Sequence, residues 1–186
     1  FDLAGMGDSE MRGVADIASR GKEFVEISEA LDLFADGSRP TIIAHSFGSG
    51  AALTAVSQSP DAFAGVIVCD LMVMRPEKLE KYWTMGRSSP GSGNPDKPVR
   101  RYPTYEAARE RYILSPPQAV GEPFLMDYMA YHSLRRDGEE WTWKFSPEVF
   151  RRSNKPDEWL TVGQRLVDAP GRKAIVYGEK SQLFDR

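Results

Sequence analysis

Apolar positions change their spacing several times along the chain. From Gly21 to Asp36, Phe24, Ile27, Leu31 and Phe34 recur at i, i+3, i+7 and i+10. That spacing predicts a helix with one buried face, stopped at Gly37. Thr41-Ile42-Ile43-Ala44 is a short apolar run and predicts a buried strand. Gly48 to Ser59 is small and apolar, which suits a helix packed closely on a sheet and ended before Pro60. Val66-Ile67-Val68-Cys69 predicts the next strand. Ala174-Ile175-Val176-Tyr177 predicts another, entered through Pro170-Gly171. Strands alternating with helices predict an α/β fold with a mostly parallel sheet covered on both faces.

The middle of the chain reads differently. Tyr105 to Leu114 predicts a charged helix stopped by Pro116-Pro117. Phe124 to Leu134 predicts a second, with Leu125, Tyr128, Met129 and His132 roughly on one side. Asp157 to Val167 predicts a third, and Gly86 to Pro98, rich in Gly, Ser and Pro, reads as a loop. Residues 75–168 are therefore expected to form a helical insertion over the sheet. Residues 1–74 and 169–186 make the core.

Composition narrows the function classes. The 186 residues fit one domain, or one domain with a large insertion. The hydrophobic fraction of 41% is ordinary for a globular chain. No apolar run approaches the roughly 18 residues of a membrane helix. The net charge of −3 is not the basic footprint of a nucleic-acid binder. Cys69 is the single cysteine, so the core needs no disulfide. A cytoplasmic protein is expected, although the chain starts at Phe1 within a strand-like Phe-Asp-Leu and a preceding signal peptide stays open. Residues 75–165 carry 13 of the 20 aromatics and a net charge of +3. That small excess reads as a solvated surface rather than a site for an anionic substrate.

The sharpest chemical signal is Ala44-His45-Ser46-Phe47-Gly48, between a predicted strand and a predicted helix. This is a small-x-Ser-x-small nucleophile elbow. The turn is tight, so the residues two before and two after the serine must be small. Ser46 is then held above the sheet edge at a helix N-terminus, where developing negative charge is favoured. The following residue, Phe47, supplies a backbone N–H to an oxyanion. Gly5-Met6-Gly7 is not a dinucleotide motif: the third glycine is missing, because Glu10 stands there. These glycines are expected to form turns.

With these pieces the chain resembles a cap-bearing α/β-hydrolase. Asp2-Leu3-Ala4-Gly5-Met6-Gly7-Asp8-Ser9 resembles the loop after an earlier strand of that fold, Ile43 to Leu53 the elbow and its helix, and Ile175 to Ser181 a late strand whose end often carries the acid. Arg111 to Gln118 and Trp141 to Pro147 resemble the cap of a group of bacterial relatives. The resemblance implies a serine, an acid and a histidine in chain order. The usual acid position holds Ser181, so Asp70, at the end of the strand after the elbow helix, is the leading candidate. Some relatives, haloalkane dehalogenases among them, place the acid there. Glu179 and Asp185 follow as alternatives. His45 is expected to pack within the elbow, pointing away from the site. His132 lies in the predicted cap helix, where a surface or interhelical role is the plainer reading and substrate contact the sharper one. Neither is the family's base, so an internal fragment is expected, without the first strands and the last strand and helix.

The expected site is thus Ser46 and Asp70 for catalysis, Phe47 for the oxyanion, and His132, Tyr128 and Trp143 against substrate. No cofactor or metal is expected, and the only partner expected is a small-molecule substrate, with no nucleic acid or membrane. The expected function is a serine hydrolase of small or medium esters. The alternatives are a cofactor-free C–C hydrolase or acyltransferase on the same triad, and a non-catalytic ligand-binding relative.

Overall fold

A computed structural model describes residues 1–13, 16–81, 98–114, 118–149 and 159–184. The predicted Gly86–Pro98 loop, the Pro116-Pro117 stop and the start of the helix expected from Asp157 fall largely or wholly outside these. The chain forms two compact units, Val14–Met85 with Arg152–Arg186, and Phe1–Gly13 with Gly86–Arg151. The sequence reading groups 1–74 with 169–186 as the core.

The first unit is an α/β piece in which one helix packs on a parallel sheet and another packs on that helix. Helix α1 (Ile17–Ala30) begins at Asp16, whose carboxylate accepts the Ser19 N–H at 2.7 Å. That caps one of the helix's orphan donors. Its buried residues Ile17, Arg20, Gly21, Phe24 and Ser28 form a single stripe. The helix ends six residues before its predicted end at Asp36. Asp32 and Asp36 both take positive φ, which breaks the helical path and leaves Leu31 and Leu33 exposed.

Strand β1 (Thr41–His45) alternates exposed and buried positions, then helix α2 (Phe47–Gln58) returns the chain to strand β2 (Gly65–Cys69). Every residue of α2 from Ser49 to Val56 is buried. A helix buried all round must be made of small or apolar residues, and this one is. Gly21 lets α1 close on α2, since a Cβ there would lie 2.8 Å from Thr54 Cγ2. After helix α5 (Val162–Asp168), strand β6 (Arg172–Val176) completes a parallel sheet ordered β1-β2-β6. The register pairs His45 with Cys69 and Cys69 with Val176, so all three strands end level.

The second unit is not the all-helical insertion that the sequence predicts. Strands β3 (Arg101–Tyr102), β4 (Leu134–Asp137) and β5 (Glu140–Trp143) form an antiparallel sheet ordered β3-β5-β4. Glu140-Trp141-Thr142-Trp143 has the period of two that a strand needs, and Thr142 is buried with its hydroxyl donating to Arg100 O at 3.0 Å. Asp137-Gly138-Glu139-Glu140 makes the two-residue hairpin. Gly138 has φ +68° and Glu139 is not at positive φ, the signature of a type II′ turn. Helices α3 (Tyr105–Arg109) and α4 (Pro123–Ser133) are both present, and α3 is shorter than predicted. Thr104 caps α3 and Pro123 opens α4. Only Ala130 of α4 is buried, so its expected apolar side is an exposed one. Residues 1–13 are a folded loop here rather than a strand. Gly5 and Gly7 lie at positive φ, Asp2 accepts the Asp8 N–H at 3.1 Å, and Lys144 pairs with Asp8 at 2.7 Å.

Candidate active site

The site grows out of the level strand ends. Ser46 follows β1 directly, and its N–H donates to Cys69 O at 2.8 Å, extending the β1–β2 ladder by one step. Its backbone then turns sharply, with φ +49° and ψ −117°. This is a sparsely populated conformation for a residue with a Cβ, of order 1–3 kcal/mol in cost, and such strain gathers where function demands it. Ser46 also occupies the N-cap of α2, yet its side chain makes no capping bond. Serines at that position ordinarily spend their hydroxyl on the helix. Here the hydroxyl is left for other work.

The flanking residues explain how the turn is held. A Cβ on Gly48 would meet only the Ala44 Cβ, at 4.0 Å. The elbow therefore has room for a methyl group at this position. Ser49 is fully buried, and its hydroxyl donates to Ala44 O at 3.0 Å, tying the helix back to the strand. The sequence analysis missed this residue. A serine three positions after the nucleophile in an apolar helix was the available signal. Phe47 is the first residue of α2, so its N–H has no place in the helical ladder and points out of the helix N-terminus.

Asp70 sits at the matching place on β2. It has φ +50°, and its N–H donates to Val176 O at 2.7 Å. Adjacent strands run about 4.8 Å apart, and Asp70 and Ser46 each stand one residue past the His45–Cys69 pair. The structure thus brings Ser46, Phe47 and Asp70 to one edge of the sheet. The Asp70 Oδ1 is buried and accepts no hydrogen bond from any described residue. A buried carboxylate oxygen left so is costly and calls for a partner. Glu179 is exposed in the turn after β6, and Asp185 lies outside the described residues.

Beneath Phe47 is a second feature the sequence analysis missed. Arg20 is fully buried on α1, and its guanidinium carbon lies 5.6 Å from the Phe47 ring centroid. Burial pulls the Arg20 pKa down, and the charges of Glu23 and Asp16 push it back up. Glu23 Oε1 is 3.7 Å from Arg20 Nη1. Trp159 packs on the same ring, with centroids 5.8 Å apart.

The remaining candidates stand elsewhere. His45 is exposed at the end of β1, not packed in the elbow. It shares the exposed phase of β1 with Thr41 and Ile43, so the strand's alternation carries it away from the buried side. His132 and Tyr128 belong to the second unit, both exposed, with their rings 4.4 Å apart on α4. Trp143 is half-buried there against Tyr102 and Tyr112, each at 6.1 Å. Among the described residues no three His, Cys, Asp or Glu side chains gather as a metal site. No helix among them is long and apolar enough to cross a membrane.

A parallel sheet with a strained serine between a strand and a buried helix is the arrangement of the α/β-hydrolases. The chain belongs to the alpha/beta hydrolase family, which it matches over residues 1–184. Among solved structures it is similar to an esterase from Mycobacterium tuberculosis, at 19% identity and a TM-score of 0.71, covering 99% of this chain and 60% of that one. It is also similar to E-2-(acetamidomethylene)succinate hydrolase, at 15% identity and a TM-score of 0.71, covering 99% of this chain and 63% of that one. A thioesterase domain from the curacin biosynthetic pathway gives 18% identity and a TM-score of 0.62, covering 99% of this chain and 66% of the domain. No curated protein matches the sequence. The chain thus spans about 60% of the length of the esterase it resembles.

Proposed function

We propose that the chain carries the nucleophile and the acid of a serine hydrolase acting on a small or medium ester-like substrate. One observation carries the reading: Ser46 holds the strained elbow conformation with a hydroxyl that does not cap its helix. In this mechanism Ser46 Oγ attacks the carbonyl carbon and its proton passes to an imidazole. The carbonyl oxygen takes the negative charge and is held by the Phe47 N–H at the α2 N-terminus. Collapse expels the alcohol, protonated by the same imidazole, and leaves an acyl-serine that water then hydrolyses. Asp70 orients the imidazole and balances its charge, which gives the buried Oδ1 its partner. The imidazole is assigned to a histidine outside these 186 residues, because the family resemblance sets the base beyond a strand that follows β6. The esterase, thioesterase and hydrolase descriptions of similar structures support acyl-type chemistry. Tyr128, His132 and Trp143 are proposed to contact the substrate from the insertion.

The test is covalent. The intact protein, treated with a fluorophosphonate, should gain one phosphonyl group, located on Ser46 by peptide mass spectrometry. Label on another residue, or none at all, would remove Ser46 from the mechanism.

A further inference from the structure

The Phe47 ring is held from two sides. Trp159 packs on it at 5.8 Å between centroids, and the Arg20 guanidinium lies 5.6 Å from its centre. One turn along α2, Gly50 leaves the space that this packing needs. A Cβ there would lie 3.3 Å from Trp159 and 3.4 Å from Ile17, the first residue of α1. So α1, the first turn of α2 and Trp159 close a cage around one phenyl ring. The residue caged is the one that follows the strained Ser46.

Arg20 is an odd choice for a purely structural position. It is fully buried, and a buried guanidinium is expensive to desolvate. A leucine or methionine would fill the space on α1 without that cost. A cation over an aromatic face does what an alkyl chain does not: it attracts the ring electrostatically and fixes its distance.

We propose that Arg20 is a positioning residue for the oxyanion donor, holding the Phe47 ring and, through it, the aim of the Phe47 N–H. The inference rests on the serine-hydrolase reading above, and deepens it. A donor that drifts from its place loses more stabilisation of the transition state than of the bound substrate. The loss therefore falls on kcat rather than on KM.

The experiment compares Arg20→Met, Arg20→Lys and Phe47→Leu in the intact enzyme, with Ser46→Ala alongside. For the variants that keep Ser46, each kcat is taken per site titrated by a fluorophosphonate, so unfolded protein does not count; Ser46→Ala is assayed per mole of folded protein. Arg20→Met should lower kcat per titrated site about tenfold, with KM within about twofold. Arg20→Lys, which keeps a cation over the ring, should recover most of that loss. The Arg20→Met and Phe47→Leu effects should be strongly non-additive in the double variant, since both empty the same cage. An unchanged kcat per site in Arg20→Met, or additive effects, would overturn the proposal. Should Arg20→Met fail to fold, Arg20→Lys and Phe47→Leu decide. A kcat per site equal to wild type in Phe47→Leu then counts against it. Activity surviving in Ser46→Ala would instead discard the site itself, whatever the Arg20 variants do.

Discussion

Ser46 and Asp70 leave neighbouring parallel strands at the same level, each one residue past the paired His45 and Cys69, and each at positive φ, +49° and +50°. Aspartate takes positive φ readily, as Asp32 and Asp36 do, but Ser46 at φ +49° and ψ −117° is strained. Each turn lifts a polar side chain off the end of the sheet, where α/β folds gather their ligand-binding groups.

Asp70→Asn in the intact enzyme should cut turnover of an activated ester by about 10⁴-fold, because the imidazole would lose its tautomer and its charge partner. Glu179→Gln and Asp185→Asn should stay within about twofold of wild type. Steady-state kinetics on the three variants decides the acid. A near-normal Asp70→Asn beside a dead Glu179→Gln or Asp185→Asn would move the role to the turn after β6.

Gly48→Ala should fold and keep its activity. The added methyl meets only the Ala44 Cβ at 4.0 Å, and alanine is favoured over glycine in a helix by up to about 1 kcal/mol. Gly48→Pro should also fold, since proline is accepted in the first turn of a helix, but it removes a backbone N–H beside the Phe47 donor and should lower kcat. Chemical denaturation of both variants, with activity measured in parallel, checks the pair.

Ser49→Ala should destabilise the protein by about 1–2 kcal/mol. It removes a buried hydroxyl bond and leaves the Ala44 carbonyl one donor short. The denaturation midpoint reports this. A larger fall in kcat than in stability would show that the same bond also holds the elbow's geometry.

Tyr128 and Trp143 should part company. Tyr128 is 61% exposed, so Tyr128→Ala should leave stability within about 0.5 kcal/mol while raising KM several-fold. Trp143 packs on Tyr102 and Tyr112, so Trp143→Ala should cost about 2–3 kcal/mol before any effect on substrate is read. Thermal melts beside KM values separate the two. An unchanged KM in Tyr128→Ala would take α4 out of the substrate site.

The core was legible because its signals are local. Short β-branched runs and a small, apolar helix mark β1, α2 and β2 within a residue or two of their ends. The elbow carries its own spacing in Ala44, Ser46 and Gly48. The insertion was harder. Its strands are short, and Leu134, the first residue of β4, reads as the last residue of the preceding helix. The Asp137-Gly138 turn and the alternation of Trp141 and Trp143 were there to be weighed against that reading. The second half of the predicted first helix failed for another reason. Leu31 and Phe34 kept the right period, while Asp32 at φ +56° did not keep the helix. Arg20 was invisible altogether, since no pattern in a sequence marks a cation that will be buried against a ring from another helix.

The burial of α2 has a consequence for how this protein can change. From Ser49 to Val56 every position is enclosed, and the space around Gly21 and Gly50 is already filled by neighbours. Adaptation through that helix is closed: in a saturation library, survivors there should be confined to residues of nearly the same volume. Helix α4, with Ala130 as its one buried residue, is the opposite. New variants of this protein will be found on α4, while the segment behind the serine stays fixed.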